Sequence, residues 1–243
     1  MRTRRITAQI RFETLSVLRN GEQLLLSLIL PLGMLVFFAK TPLLSALGTI
    51  SAGEDPLTVA LPGALSLCLA STAFTGQAIA TAFDRRYGVL RQLATTPLGT
   101  NGLIFGKLGA VIAVVIIQFA LAFAIALGLG FRGPVDPLAL VLTTLLGTAA
   151  LLSLGLLMAG TVRAEATLAG ANLIWVLMAG VGGLVLAHPG EWGTVVGYLP
   201  SGALGDAMRA AVGGAGFDVK ALIVLLVWGL LGTLAARRWF RFE

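Results

Sequence analysis

The chain has 243 residues, of which 57% are hydrophobic and only 12% charged, with a formal net charge of +6. A soluble domain of this size carries roughly 25% charged residues, so the composition excludes a water-solvated domain, and a mean hydropathy of +0.94 points to lipid as the solvent. The basic balance does not imply nucleic acid, because the Lys and Arg residues cluster between apolar runs in the manner of a membrane protein.

Residues 1–21 predict a helix lying on the inner membrane surface. Ile6, Ile10 and Val17 share a narrow face, and Arg4, Arg5, Arg11 and Arg19 gather opposite, with Glu13 intruding on the apolar face. Asn20-Gly21 then supplies a helix stop.

Long apolar runs follow at 24–47, 57–83, 108–129, 138–162, 166–187 and 221–236. A spanning helix needs about 20 residues; the last run is short, but Lys220 and Arg237 flank it and can snorkel to the two interfaces. The expectation is an all-α membrane protein, one domain over 1–243 with six transmembrane helices. If both termini face the cytoplasm, only Lys40, Arg132, Arg209 and Lys220 of the 17 basic residues fall outside. The positive-inside rule therefore gives an N-in, C-in chain in the plasma membrane.

Between the second and third runs, residues 84–100 exceed what a simple turn needs. Asp84 suits a helix N-terminus, Leu90, Leu93 and Ala94 recur at helical spacing, and Pro97 breaks the pattern. This predicts a short cytoplasmic helix whose apolar edge meets a partner protein. Residues 195–215 are too apolar for a solvated loop, yet Pro200 interrupts any continuous span. They predict a re-entrant helical hairpin acting as an outer gate, with Ala203, Leu204, Ala207, Met208 and Ala211 on its packing face and Asp206 and Arg209 as an i,i+3 pair.

The residues that carry chemistry are few. Cys68 is the only cysteine and His188 the only histidine, far apart in sequence, so no metal cluster or Cys/His pair is expected. The Asp and Glu residues lie outside or at the edges of the runs, which argues against a built-in proton relay. Gly106-Lys107 looks like the end of a P-loop, but Leu108 and Asn101 occupy its Ser/Thr and first Gly positions, so ATP must be bound elsewhere if it is used. Polar groups within the runs are mild: Ser71, Thr72, Thr75, Gln77, Thr81, Gln118 and Asn172. Such groups serve interhelical hydrogen bonds as readily as a substrate.

Two segments carry a resemblance. Asp84-Arg85-Arg86-Tyr87-Gly88-Val89-Leu90-Arg91-Gln92-Leu93, then Thr96-Pro97-Leu98 and Gly106-Lys107, resembles the stretch after the second span of type-2 ABC exporter permeases. Tyr198-Leu199-Pro200-Ser201, then Asp206-Ala207-Met208-Arg209 and Gly213, is similar to the family's segment before the last span. The resemblance implies that Asp84, Arg85, Arg86, Tyr87, Gly88, Leu90, Leu93 and Pro97 couple the chain to a cytoplasmic ABC ATPase, two of which would serve each complex. It implies a second permease subunit, identical or homologous, and no cofactor in this chain, ATP and Mg residing on the ATPase. It also implies that spans two and five face that second permease and line the path, making Thr75, Gln77 and Asn172 candidate path residues. Tyr198, Pro200, Asp206 and Arg209 become outer-gate residues. Such a lining suits an amphiphilic or apolar cargo (drug, antibiotic or lipid) surrounded by membrane lipids. The alternatives are a membrane enzyme acting on lipids and a stand-alone secondary carrier.

Overall fold

The computed structural model describes residues 2–51, 54–90, 92 and 99–240. Among these, the regular structure is entirely helical. Helix α1 is Arg2–Arg19 and α2 is Gly21–Lys40, followed by a single helical turn at Leu43–Ala46. Helix α3 is Leu57–Arg86, α4 Gly99–Gly128, α5 Pro137–Thr161 and α6 Ala164–Gly180. Two short helices, α7 (Gly190–Val196) and α8 (Pro200–Val212), precede α9 (Val219–Trp239).

Five helices are long and apolar enough to cross a membrane: α2, α3, α4, α5 and α9. The lengths differ from the sequence expectation in an instructive way. The last run is not short, because Lys220 and the basic pair Arg237 and Arg238 are absorbed into a 21-residue helix capped by Asp218. The fifth run is the short one, because α6 ends at Gly180 after 17 residues. At 1.5 Å per residue that is about 26 Å, and the next apolar residues run irregularly, with the Gly183 and Val185 carbonyls bonded to Arg209.

Helix α3 is the centre of the bundle. Its first half is almost wholly apolar, as suits an enclosed helix, its second half carries mild polar groups, and nearly every side chain from Leu57 to Ala82 is buried. Helices α2, α4, α5 and α8 pack around its first half, and α5 and α6 around its second. Helix α9 lies outside, along α5.

The bundle has a basic end and an opposite end. The last turn of α3, the start of α4, and the turn between α5 and α6 meet at the first, where Lys107 and Arg85 form contacts. Helix α1 packs on α4 at that end, where Gly106 and Gly109 make its seat. A Cβ at Gly106 would lie 2.5 Å from Gln9, and one at Gly109 would lie 2.5 Å from Ile10. Phe240 reaches the same end, beside Gly160.

Two wide turns interrupt the helical phase. Leu25–Ile29 in α2 and Ser71–Gly76 in α3 are π-helical, and they face one another. Gln118 of α4 ties them together: its Nε2 donates to the Ser27 carbonyl at 2.7 Å and to Thr72 Oγ1 at 2.9 Å.

Candidate functional site

At the basic end, charges join helices that are remote in sequence. Lys107 is only 2% exposed and lies 3.4 Å from Glu13 of α1 and 3.2 Å from Asp84 of α3. Arg85 donates to the Val162 carbonyl at 2.6 Å, and Arg86 pairs with Glu165. Glu13 therefore belongs on the packed face of α1, since its partner is a cation buried under that face. The sequence marked Glu13 as misplaced because Lys107 is invisible to a helical wheel drawn on α1 alone.

Asp84 does not open a cytoplasmic helix. It lies in the last turn of α3, which runs unbroken to Arg86, where the two arginines suit the negative end of the helix dipole. The break comes at Tyr87 and Gly88, Gly88 having the left-handed φ of +73° that turns the chain. Val89 and Leu90 are helical again. Leu90 is 1% exposed, so it is packed inside this chain and is not an apolar edge awaiting a partner. Tyr87 is the exposed large side chain of this turn, at 68%. Leu93 and Pro97 lie outside the described residues. Around Tyr87 is an open recess of about 890 Å³ lined by Arg85, Arg86, Gly88, Gln92, Arg163 and Glu165.

A smaller cavity of about 310 Å³ sits between α2, α3 and α6 near the basic end. Both π segments contribute to its wall, through Leu26 and Ser27 on one side and Ser71, Thr75 and Gly76 on the other. Thr75 and Asn172 both line this cavity. Gln77 does not line it; it is buried elsewhere, with Oε1 lacking a protein hydrogen-bond partner. Span two is also more enclosed than a partner-facing helix: its own chain covers it, leaving Ile79, Ala80 and Phe83 half-buried. Helices α2, α4, α5, α6 and α8 of the same chain pack against it, so a second permease, which the resemblance places beside it, would meet little of its surface.

At the opposite end, residues 195–215 resolve into a turn and one helix, and the first helical arm begins earlier, at Gly190. Pro200 starts α8, where its missing N–H costs nothing. Ala203, Leu204, Ala207, Met208 and Ala211 are all buried, so α8 is inserted among α3, α5 and α9. Arg209 donates to the carbonyls of Gly183 (3.0 Å) and Val185 (3.2 Å) and pairs with Asp206 at 2.7 Å. Tyr198 is exposed; its carbonyl accepts from Trp228 Nε1 at 2.9 Å, and Lys220 Nζ lies 4.3 Å from its ring centre.

A family model described as ABC-2 family transporter protein matches residues 57–238. The chain therefore belongs to the ABC-2 transporter family, whose members are transport subunits of the membrane and not themselves catalytic. The family implies partnership with an ABC ATPase. No curated protein and no solved structure matches the chain. The family match begins at Leu57, so α1 and α2, which supply Glu13 to the ion network and one wall of the cavity, lie outside it.

Proposed function

We propose that this chain is the permease subunit of an ATP-driven exporter in the plasma membrane, moving an amphiphilic or apolar drug, antibiotic or lipid out of the cell. The basic end faces the cytoplasm, and α6 with the irregular residues after it completes a sixth crossing. Two ABC ATPase subunits bind ATP and Mg beneath a pair of permeases, and the turn after α3 receives their motion. The observation that carries this reading is the recess around exposed Tyr87. Its wall includes Arg85 and Arg86, whose helix end is tied to α4 and α1 through Lys107 and to α6 through Glu165. A push on that turn therefore reaches four helices at once. Thr75 and Asn172 lie on the cargo's route, and the α7–α8 hairpin, with Tyr198, Pro200, Asp206 and Arg209, closes its outer end.

The test is to purify the tagged chain from its native membrane in mild detergent. An ABC ATPase recovered with it supports the reading. Recovery of the chain without any ATPase would favour a stand-alone carrier.

A further inference from the structure

The cavity between α2, α3 and α6 differs in charge from its surroundings. Its lining includes one carboxylate, that of the exposed Glu22, and none of the described lining residues is basic. That is unusual for this end of the molecule, where Arg85, Arg86, Lys107 and Arg163 are concentrated. Among the described residues Glu22 forms no ion pair. Three further lining side chains have a buried polar atom without a protein hydrogen-bond partner: the hydroxyls of Ser27 (1% exposed) and Thr75 (4%), and Gln23 Nε2, a donor suited to a polar acceptor on the same ligand. Buried polar atoms in folded proteins are nearly all satisfied, so these mark a place where a ligand or solvent completes the bonding.

The wall also carries the polar Asn20, Gln23, Ser71 and Asn172, and its apolar part includes Phe83 and Leu168. An aromatic ring adds a weak attraction for cations, and the apolar side chains suit a hydrocarbon or ring body. The volume of about 310 Å³ is at the lower end of small-molecule sites, enough for a head group and its first ring or alkyl segment. Both π segments of the described chain border this one space; such segments occur frequently at functional sites.

Building on the permease reading, we infer that the cavity is a cargo-binding site within a single subunit, selective for cationic amphiphiles: an ammonium or comparable delocalised cation beside Glu22, hydrogen-bonded to Ser27, Thr75 or Asn172, with its apolar body against Phe83 and Leu168. The selectivity comes from Glu22, and the capacity for an apolar body comes from the side formed by Phe83 and Leu168.

Rhodamine 6G (cationic) and Nile red (uncharged) serve as probes of the full chain in phosphatidylcholine nanodiscs, read by fluorescence anisotropy. Rhodamine 6G should bind saturably, and Glu22→Gln should weaken it about fivefold, the range of a partly exposed ion pair. Glu22→Asp should restore it, and Nile red should be indifferent to both changes. A second measurement needs no variant: molar salt should weaken rhodamine 6G binding to the unaltered chain and leave Nile red unchanged. Equal rhodamine 6G affinity in the unaltered chain and Glu22→Gln, or no saturable binding at all, overturns the inference. Recovery of an ATPase together with charge-blind dye binding removes this inference alone. Charge-selective binding without any recoverable ATPase removes the permease reading alone.

Discussion

At the basic end, side chains far apart in sequence clasp one another: Glu13 with Lys107, Lys107 with Asp84, Arg86 with Glu165. At the opposite end, the one ion pair among the described residues is Asp206 with Arg209, three residues apart on one helix, and Arg209 spends its other bonds on backbone carbonyls. The first arrangement joins separate helices through side-chain charges. The second pins an irregular stretch of backbone that would otherwise leave carbonyls unsatisfied in an apolar setting. The contrast fits a molecule that receives motion at one end and seals at the other.

Replacing Lys107 with Met should produce the largest effect. It leaves two carboxylates facing each other in a partly buried site, and removing one member of such a cluster costs about 3 kcal/mol or more. Unfolding in mixed micelles should show the loss, and adding Glu13→Gln with Asp84→Asn should recover most of it. No loss in the single variant would mean that the network is not what holds α1 to the bundle.

Arg209→Met is the matching change at the other end. Two carbonyls and Asp206 lose their partner, for a loss of about 2 kcal/mol by the same measurement. Arg209→Lys should rescue little, because an ammonium cannot reproduce the fork. Full rescue by Lys would show that charge, not geometry, matters there.

Arg86→Gln should be the mildest. Both partners of the Arg86–Glu165 pair are about half exposed, so the stability change should stay under about 1 kcal/mol and shrink with added salt. A larger change would move this pair into the same class as the Lys107 cluster.

The membrane character, the apolar runs and the family were legible because they are written in composition and in short motifs. The pairings were not. Lys107 read as one more cytoplasmic cation, since nothing local reveals that α1 covers it, and the seat at Gly106 and Gly109 is visible only with α1 in place. The π segments left no trace either: α3 is buried on all sides and its mild polar groups, such as Ser71, Thr75 and Gln77, mark no single face, so a shift of phase within it changes no pattern. Asp84 misled for a related reason. A carboxylate after an apolar run looks like the start of the next helix, but a buried lysine on α4 supplies a better reason to keep it in the last one. The end of α6 was hidden because residues 181–187 remain apolar after the helix has stopped.

The claim that the basic end receives an ABC ATPase is tested most directly by cross-linking at Tyr87, which is exposed and bounds the recess. In a Cys68→Ser background, Tyr87→Cys and, at the opposite end, Trp192→Cys are each treated in native membranes with a short photoactivatable thiol reagent. Cross-linking of an ABC ATPase from Tyr87→Cys, and none from Trp192→Cys, is the predicted result. Capture of the ATPase from Trp192→Cys but not from Tyr87→Cys would contradict the assignment of the docking end.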